Sequence, residues 1–528
     1  VVIRKAGAAG VGVHRWWTLA TVCAATFMLM LDLTVVNVAM PAIQVDLDAT
    51  FGDMQWVIDA YALGLAAFLL SAGSLADRVG RRKLFALGLV VFTLASVACG
   101  LATEPSLLIV ARGVQGIGAS ILYAVGPALI AAEFHGRERG SAFGIFGAIA
   151  GVAVAAGPLI GGALTELDWR WVFYINLPVG LLALLIVLTM VPESAGRGDR
   201  PTDYAGLALL SAGLFTLVFA IIRAPIVGWI SPTTGVALAA SVALLIGFVV
   251  VQSRISYPML DLALLRNRTF DALSAATFTI NFAVLPVILF GVLWMQGVLG
   301  LSAIETGIRF LPLTVMLLLA ATVGGVLSAR VPTNLLIGAA LVLTGAGFLL
   351  LLGVDANDSW TAALVPFLVA GLGMGLFNPP RANASVALVS ADDSGMGSGA
   401  NETFQQVGAA LGIAVLGAVA HASINTALSE DLGLSDTALE TASDAVAAGA
   451  IGPFVATVPP DRADAVGAAA AEAFLGAFAD VAMIGGIACV VVGAAAFVLI
   501  RRRDFVLDPT APDLESRPSQ EAQETPVP

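Results

Sequence analysis

Residues 73–83 read GSLADRVGRRK, a short charged interval between apolar runs at 54–76 and 84–102. A helix needs about 20 apolar residues to cross ~30 Å of hydrocarbon, and each run is long enough. The interval is therefore a tight connection at a membrane surface. Gly73 lets a neighbouring helix approach closely, and Gly80 permits a sharp turn. Asp77 is placed to cap or pair at a helix end, while Arg78, Arg81 and Arg82 are expected to anchor at anionic headgroups. A simple excess of positive charge on one side explains the arginines but not the Gly and Asp spacing.

Working outward, the windows between charged or Pro/Gly-rich breaks number fourteen: 17–41, 54–76, 84–102, 106–132, 140–163, 171–191, 204–222, 235–252, 270–297, 306–329, 334–353, 361–386, 397–420 and 478–500. Composition agrees. Only 12% of the 528 residues are charged and 59% are hydrophobic, against about 25% charged in soluble proteins. An all-α integral membrane protein is expected, and a soluble protein is excluded. The net charge of −12 gives no footing for nucleic acid. Cys23, Cys99 and Cys489 all sit in apolar windows, so no disulfide framework is implied.

Lys and Arg set the orientation. One side receives Arg78, Arg81, Arg82, Lys83, Arg137, Arg139, Arg197, Arg200, Arg254, Arg266, Arg268, Arg330, Arg381 and Arg501–Arg503; the other receives Arg170, Arg223, Arg309 and Arg462. Both termini are expected to be cytoplasmic. The acidic, Pro-rich stretch from Asp508 to Pro528 reads as a disordered tail, and residues 1–16 as a cytoplasmic lead-in to a retained helix. Residues 422–477 form the longest break, expected as a solvated extracellular hairpin whose last part is an amphipathic helix feeding the final span.

The chain also echoes itself. GSLADRVG at 73–80 matches GVLSARVP at 325–332 in Gly, Leu, Arg and Val, and QGIGASILYAVGPA at 115–128 matches AGLGMGLFNPPRAN at 370–383. Spans one to six and nine to fourteen read as two copies of a six-helix unit, with spans seven and eight inserted. Such repeats define transporters that bind between their halves. The expected organisation is a lead-in at 1–16, a first bundle at 17–191, a linker with two extra helices at 192–260, a second bundle at 261–503 and a tail at 504–528.

Three motifs carry a family resemblance. GSLADRVGRRK closely resembles the loop between helices 2 and 3 of the major facilitator superfamily. ARGVQGIGA at 111–119 resembles its fourth-helix motif, and GVAVAAGPLIGG at 151–162 the fifth-helix motif of its exporters. With LDLTVVNVAMP at 31–41 and WRWVFYINLPVG at 169–180, the chain looks like the fourteen-helix drug:proton antiporters of that superfamily. The resemblance implies two six-helix bundles plus two linker helices in the plasma membrane. It also implies export of hydrophobic or cationic small molecules by alternating access, in exchange for protons and without a cofactor. It makes Gly73, Asp77, Arg78, Gly80, Arg81 and Arg82 a conformational latch and Arg112 a proton-coupling residue. In the antiporter seam, Gly157, Gly161 and Gly162 permit close helix contact and Pro158 favours a bend. The second-half loop departs from this pattern, with Ala329 in place of Asp77 and Pro332 in place of Gly80. A second latch of the same chemistry is not expected.

Asp32 stands inside the first apolar run, where a carboxylate costs roughly 2.5–3.5 kcal/mol on insertion scales. At 1.5 Å per residue, Asp32 lies about 14 Å and Arg112 about 9 Å from the outer ends of their helices. The two are level enough to pair, with Asp59 as a competitor for the arginine. A proton-switched pair and a permanent structural pair both fit. On the same helix Thr34 and Asn37 point elsewhere, which suggests interhelical hydrogen bonds for them. In the second half Glu402 is a candidate proton site or cation attractor, although the solvated end of a helix is an equal reading. Gln115, Asn281, Trp294, Gln296, Asn378, Asn401 and Gln405 are candidates for the substrate cavity.

No nucleotide loop, metal-ligand spacing or nucleophile–base arrangement is present in the sequence, so neither an enzyme nor an ATP-driven pump is expected. The expected partners are protons, small substrates and lipid, for a chain acting as a monomer. An exporter of one endogenous metabolite or lipid is the alternative. A proton-coupled importer and a transport-derived sensor rank below it.

Overall fold

In a computed structural model of the chain, residues 8–506 are described, apart from 135, 195–202, 229–230, 257, 259, 261, 329, 356–357, 391–392 and 433–435. Ala329 and the tail from 507 onward thus lie outside the described residues. The first unit contains α1 (Ala8–Asp46), α2 (Phe51–Val79), α3 (Arg81–Gly100), α4 (Pro105–Glu133), α5 (Gly136–Leu167), α6 (Trp171–Tyr174) and α7 (Asn176–Met190). The inserted pair is α8 (Tyr204–Val227) and α9 (Pro232–Gln252). The second unit contains α10 (Arg268–Leu293), α11 (Ala303–Leu327), α12 (Thr333–Leu350), α13 (Leu364–Ala387), α14 (Ser394–Leu432), α15 (Asp436–Ala447), α16 (Ile451–Val455) and α17 (Pro460–Leu499).

Among the described residues, 13 helices are long and apolar enough to cross a membrane. The 32-residue α5 stands where the fifth span is expected, so all fourteen positions are filled by helix. Boundaries differ in instructive ways. The sixth span comprises α6 and α7, with Ile175 between them still helical at φ −58° and ψ −28°, and Asn176 is the first residue of α7. The first span does not begin at a loop, because α1 is already helical from Ala8. The last span and its amphipathic feeder are one 40-residue helix, α17. That is about 60 Å of helix, twice the hydrocarbon thickness. Together with the 39-residue α14 it projects beyond the membrane and carries α15 and α16 between them.

The halves repeat one packing scheme. α2 and α3 pack on α4 and α1 packs on α5, as α11 and α12 pack on α13 and α10 packs on α14. The halves then meet along two equivalent seams, α2 on α14 and α5 on α11. Glycine permits both. A Cβ on Gly73 would collide with the Gly395 carbonyl, and one on Gly325 would lie 2.7 Å from Gly144 Cα and 2.8 Å from the Gly140 carbonyl. The inserted α8 leans on α2 and α14, with a Ser71–Ser211 hydroxyl bond of 2.9 Å, so the pair flanks only one of the seams.

The start of α1 and the end of α17 lie at the same end of the molecule. His14 bonds the Met190 carbonyl at 2.8 Å and Arg15 pairs with Glu138. In the second half the Val506 amide donates to Ala387. The α2–α3 connection, which touches α14, joins the two sets and marks this as the latch end.

Candidate functional site

At the latch end, Gly80 adopts φ 116°, a left-handed backbone that favours glycine, and this lets α3 follow α2 with no intervening loop. Asp77 is buried and accepts four hydrogen bonds. Two come from Arg81, at 2.9 Å from Nε and 2.8 Å from Nη2. The others come from the Gly395 and Met396 amides, at 3.1 and 2.9 Å. These amides open α14, where a helix leaves unpaired N–H groups and a partial positive charge. A carboxylate of the first half is thus seated on a helix terminus of the second.

The arginines were expected at headgroups, and the structure corrects this. Arg81 is buried against Asp77, Arg78 donates to the Pro258 carbonyl at 3.1 Å, and Arg82 donates to the Val191 carbonyl at 3.3 Å. The loop can satisfy backbone carbonyls nearby, so its guanidinium groups turn inward. Beside it, Ser398 donates to the Ala124 carbonyl at 2.6 Å. On the other seam, the buried Arg139 donates to Asn383 Oδ1 at 2.6 Å. The latch end is closed across both seams.

Deeper in the first half lies the Asp32 site. Asp32 is 1% exposed, Arg112 2% and Gln115 0%. Arg112 and Gln115 are three residues apart and share one face of α4. Arg112 Nη1 donates to Asp32 Oδ2 at 2.6 Å and to Gln115 Oε1 at 2.8 Å. Gln115 Nε2 donates to Asp32 Oδ1 at 2.9 Å, and Asn176 Nδ2 donates to the same oxygen at 3.1 Å. Arg112 also donates to the Val57 carbonyl at 3.3 Å, and its guanidinium lies 4.2 Å from the centre of the Tyr61 ring. The Cys99 thiol sits 3.7 Å from Gln115 Oε1. Five helices therefore close on one ion pair, and the carboxylate accepts three hydrogen bonds from side chains. This is how a charge at membrane depth is compensated.

Not every expectation around Asp32 is met. Asp59 is half-buried on α2 and faces Arg223 of α8, not Arg112; Arg223 itself lies over Trp56 at 5.5 Å. Among the described residues Thr34 donates to the Leu31 carbonyl of its own helix at 2.9 Å and makes no interhelical bond, and Asn37 is exposed. Gln115, assigned to the cavity, belongs to the ion-pair network. In the antiporter seam, a Cβ on Gly157 would strike Thr34, and one on Gly161 would lie 3.2 Å from Val35 Cα. A Cβ on Gly162 would meet nothing within 4 Å among the described residues, so no close approach there requires glycine. The Pro158 side chain lies outside the described residues.

The second half holds a site that sequence reading half missed. Glu402 is 3% exposed, which excludes a solvated helix end. Its partner is Arg381, 2% exposed, which was counted among the charges at the membrane surface. Arg381 Nη1 donates to Glu402 Oε1 at 3.0 Å and to Asn401 Oδ1 at 2.6 Å, and Asn401 Nδ2 donates to Thr277 at 3.0 Å. Glu402 Oε2 and Arg381 Nε are buried and find no partner among the described residues. Gln405 reaches across the halves and donates to the Tyr123 hydroxyl at 3.0 Å. As the span expected at 361–386 implies, α13 runs past Pro379–Pro380 to Ala387. Arg381 was counted at the surface because it lies near the end of that span, and its place inside the span was the available signal.

The remaining cavity candidates scatter. Asn281 donates to the Thr277 carbonyl at 2.9 Å, and Asn378 is half-buried. Trp294 is fully buried and stacks with Phe478, while Gln296 is exposed beside it in a π-helical turn, Trp294–Val298. At the end away from the latch, Asp46 accepts from Trp169 at 3.0 Å and pairs with Arg170 at 2.9 Å. The Trp169 bond, followed by Arg170, holds the Asp46 carboxyl below its ordinary range. The hairpin between α14 and α17 bonds to its own half, as in the Ser423–Asp480 bond of 2.8 Å.

Two pseudo-equivalent six-helix units with buried charges between their helices define a secondary membrane transporter. Comparison with known proteins agrees. The Major Facilitator Superfamily profile matches residues 22–413. Multidrug resistance protein Stp of Mycobacterium tuberculosis is 36% identical over 408 residues, covering 77% of this chain and 76% of Stp. Puromycin resistance protein pur8 of Streptomyces alboniger is 36% identical over 431 residues, covering 79% and 84%. Among solved structures, the proton:xylose symporter XylE superposes with a TM-score of 0.64 at 13% identity, covering 94% of this chain and 98% of that one. The human organic anion transporter MFSD10 gives 0.60 at 13%, covering 90% and 99%. The chain belongs to the Major Facilitator Superfamily and is a membrane transporter, not an enzyme.

Proposed function

We propose that this transporter is a proton-coupled antiporter of the plasma membrane that exports hydrophobic or cationic small molecules by alternating access. The observation that carries the reading is the Asp32–Arg112 pair, a titratable carboxylate held at membrane depth by a network spread over five helices. Protonating Asp32 removes the charge that Arg112 and its neighbours are arranged around. That biases the packing of α1 against α4 and α7, and so the balance between the two states. Glu402, with one oxygen unpaired among the described residues, is proposed as a second proton site.

The latch end is assigned to the cytoplasm, because the Arg-rich connections cluster there. With Asp77 seated on α14, the cytoplasmic side is shut. Energy comes from the proton gradient, with no cofactor, and one chain suffices because it contains both halves. The names of Stp and pur8 support drug export. A narrower reading, export of one endogenous product, draws on a relative 34% identical over 412 residues, the tetracenomycin C resistance and export protein of Streptomyces glaucescens.

The test is efflux of ethidium and a panel of related cations from energised cells, with and without a protonophore. Protonophore-sensitive efflux of several dyes supports the broad antiporter. Efflux that survives the protonophore contradicts proton coupling. Retention of every dye excludes breadth and leaves the single-product exporter.

A further inference from the structure

Asn176 was not among the expected functional residues, yet it touches the coupling carboxylate. It is 1% exposed and stands first in α7, with its side chain between α1 and α3. Its amide nitrogen makes two bonds, one to Asp32 Oδ1 at 3.1 Å and one to Ser96 Oγ at 3.0 Å. Ser96 Oγ in turn donates to the Phe173 carbonyl at 2.9 Å.

The direction of this chain is fixed by its end. A carbonyl only accepts, so the Ser96 proton points at Phe173 and Ser96 must accept from Asn176. That holds the NH2 side of the amide toward Asp32 and leaves both of its protons used. The backbone of α6 thereby dictates, through two side chains, a donor aimed at the carboxylate. The other groups facing Asp32 are Arg112 and Gln115 on α4, Tyr61 on α2 and the Cys99 thiol on α3. Of the three side chains that donate to the carboxylate, only Asn176 comes from outside α4.

We propose that Asn176 is a positioning residue that sets the pH at which Asp32 exchanges its proton, and that it ties this exchange through Ser96 to the backbone of α6. This rests on Asp32 being the coupling carboxylate. A hydrogen bond to the charged form of an acid favours that form, so removing the donor favours proton binding and moves the exchange to higher pH. Gln115, held on the same helix as Arg112, follows α4. Asn176 follows the segment that includes Trp169, Phe173 and Tyr174, whose hydroxyl bonds the Gly100 carbonyl at 2.9 Å.

The test is infrared titration of the full-length protein in liposomes, following the protonated-carboxyl band that Asp32→Asn lacks. In Asn176→Leu the midpoint of that band is expected about one pH unit or more above wild type, the usual strength of a hydrogen bond to a charged group. Ser96→Ala is expected to shift it less, in the same direction, and serves if Asn176→Leu does not fold. A purely structural role would lower the melting temperature and leave the midpoint in place, which overturns the proposal. If wild type and Asp32→Asn show no difference band at any pH, the fault lies with Asp32 as coupling carboxylate.

Discussion

The two halves share a frame but not a polar interior. In the first half Asp32 accepts three hydrogen bonds from Arg112, Gln115 and Asn176. In the second half Glu402 has one oxygen on Arg381 and the other buried without a partner among the described residues. The sites also differ in depth. In the internal alignment Arg381 falls opposite Gly126, so it stands fourteen residues, about 21 Å of helix, nearer the latch end than a counterpart of Arg112 would. The repeat keeps the packing that makes two seams but not the placing of its charges.

Asp32→Asn should break the comparison most severely. Proton-driven efflux in inside-out vesicles is expected to fall to background, with the protein still folded in the membrane. Glu402→Gln keeps a carbonyl oxygen for Arg381 and supplies an amide, so the C-terminal half should hold together. Efflux is expected to fall about tenfold, the scale of one lost charge-assisted bond, and to lose part of its pH dependence. An effect as complete as that of Asp32→Asn would make the two sites equal partners.

The seams offer the next contrast. Asp77→Asn keeps the shape but weakens four hydrogen bonds, and is expected to raise cysteine labelling from the cytoplasmic side by about tenfold or more. Asn383→Ala removes only the acceptor of Arg139 and should raise it less. Equal effects would mean that both seams are latched with equal strength. The smallest contrast lies inside the exporter motif. Gly157→Ala must push Thr34 aside and should cost more than 1 kcal/mol in the folded bundle, while Gly162→Ala, with open space around it, should stay within about 0.5 kcal/mol. Thermal unfolding of the two variants in detergent would check both.

These contrasts also mark what the sequence could tell. The spans, the repeat and the Asp32–Arg112 pair were legible, because hydrophobic runs, glycine spacing and helical rise are one-dimensional signals. Asp77 was legible as a group that pairs at a helix end, but not its partners in the other half, the Gly395 and Met396 amides; whether Arg78 and Arg82 point to lipid depends on where the Pro258 and Val191 carbonyls lie. Arg381 was hidden by its place near the end of the 361–386 span, where an arginine counts equally well toward the charge at the membrane surface. Asn176 was invisible because its role comes from the packing of α7 against α1 and α3, and no periodicity announces which neighbour a lone polar residue will face. Asp59 went to the wrong arginine for a related reason: the partner, Arg223, belongs to the inserted α8, whose docking on α2 no internal repeat foretells.

The central claim is that the Asp32–Arg112 pair opens to exchange a proton for substrate. Its most direct test is proton release from purified protein in weakly buffered solution on adding a transported dye. Wild type should release protons as the dye binds, and Asp32→Asn should bind the dye with that release lost or reduced to the share carried by Glu402. Undiminished release from Asp32→Asn would contradict the account and leave Asp32–Arg112 as a structural pair.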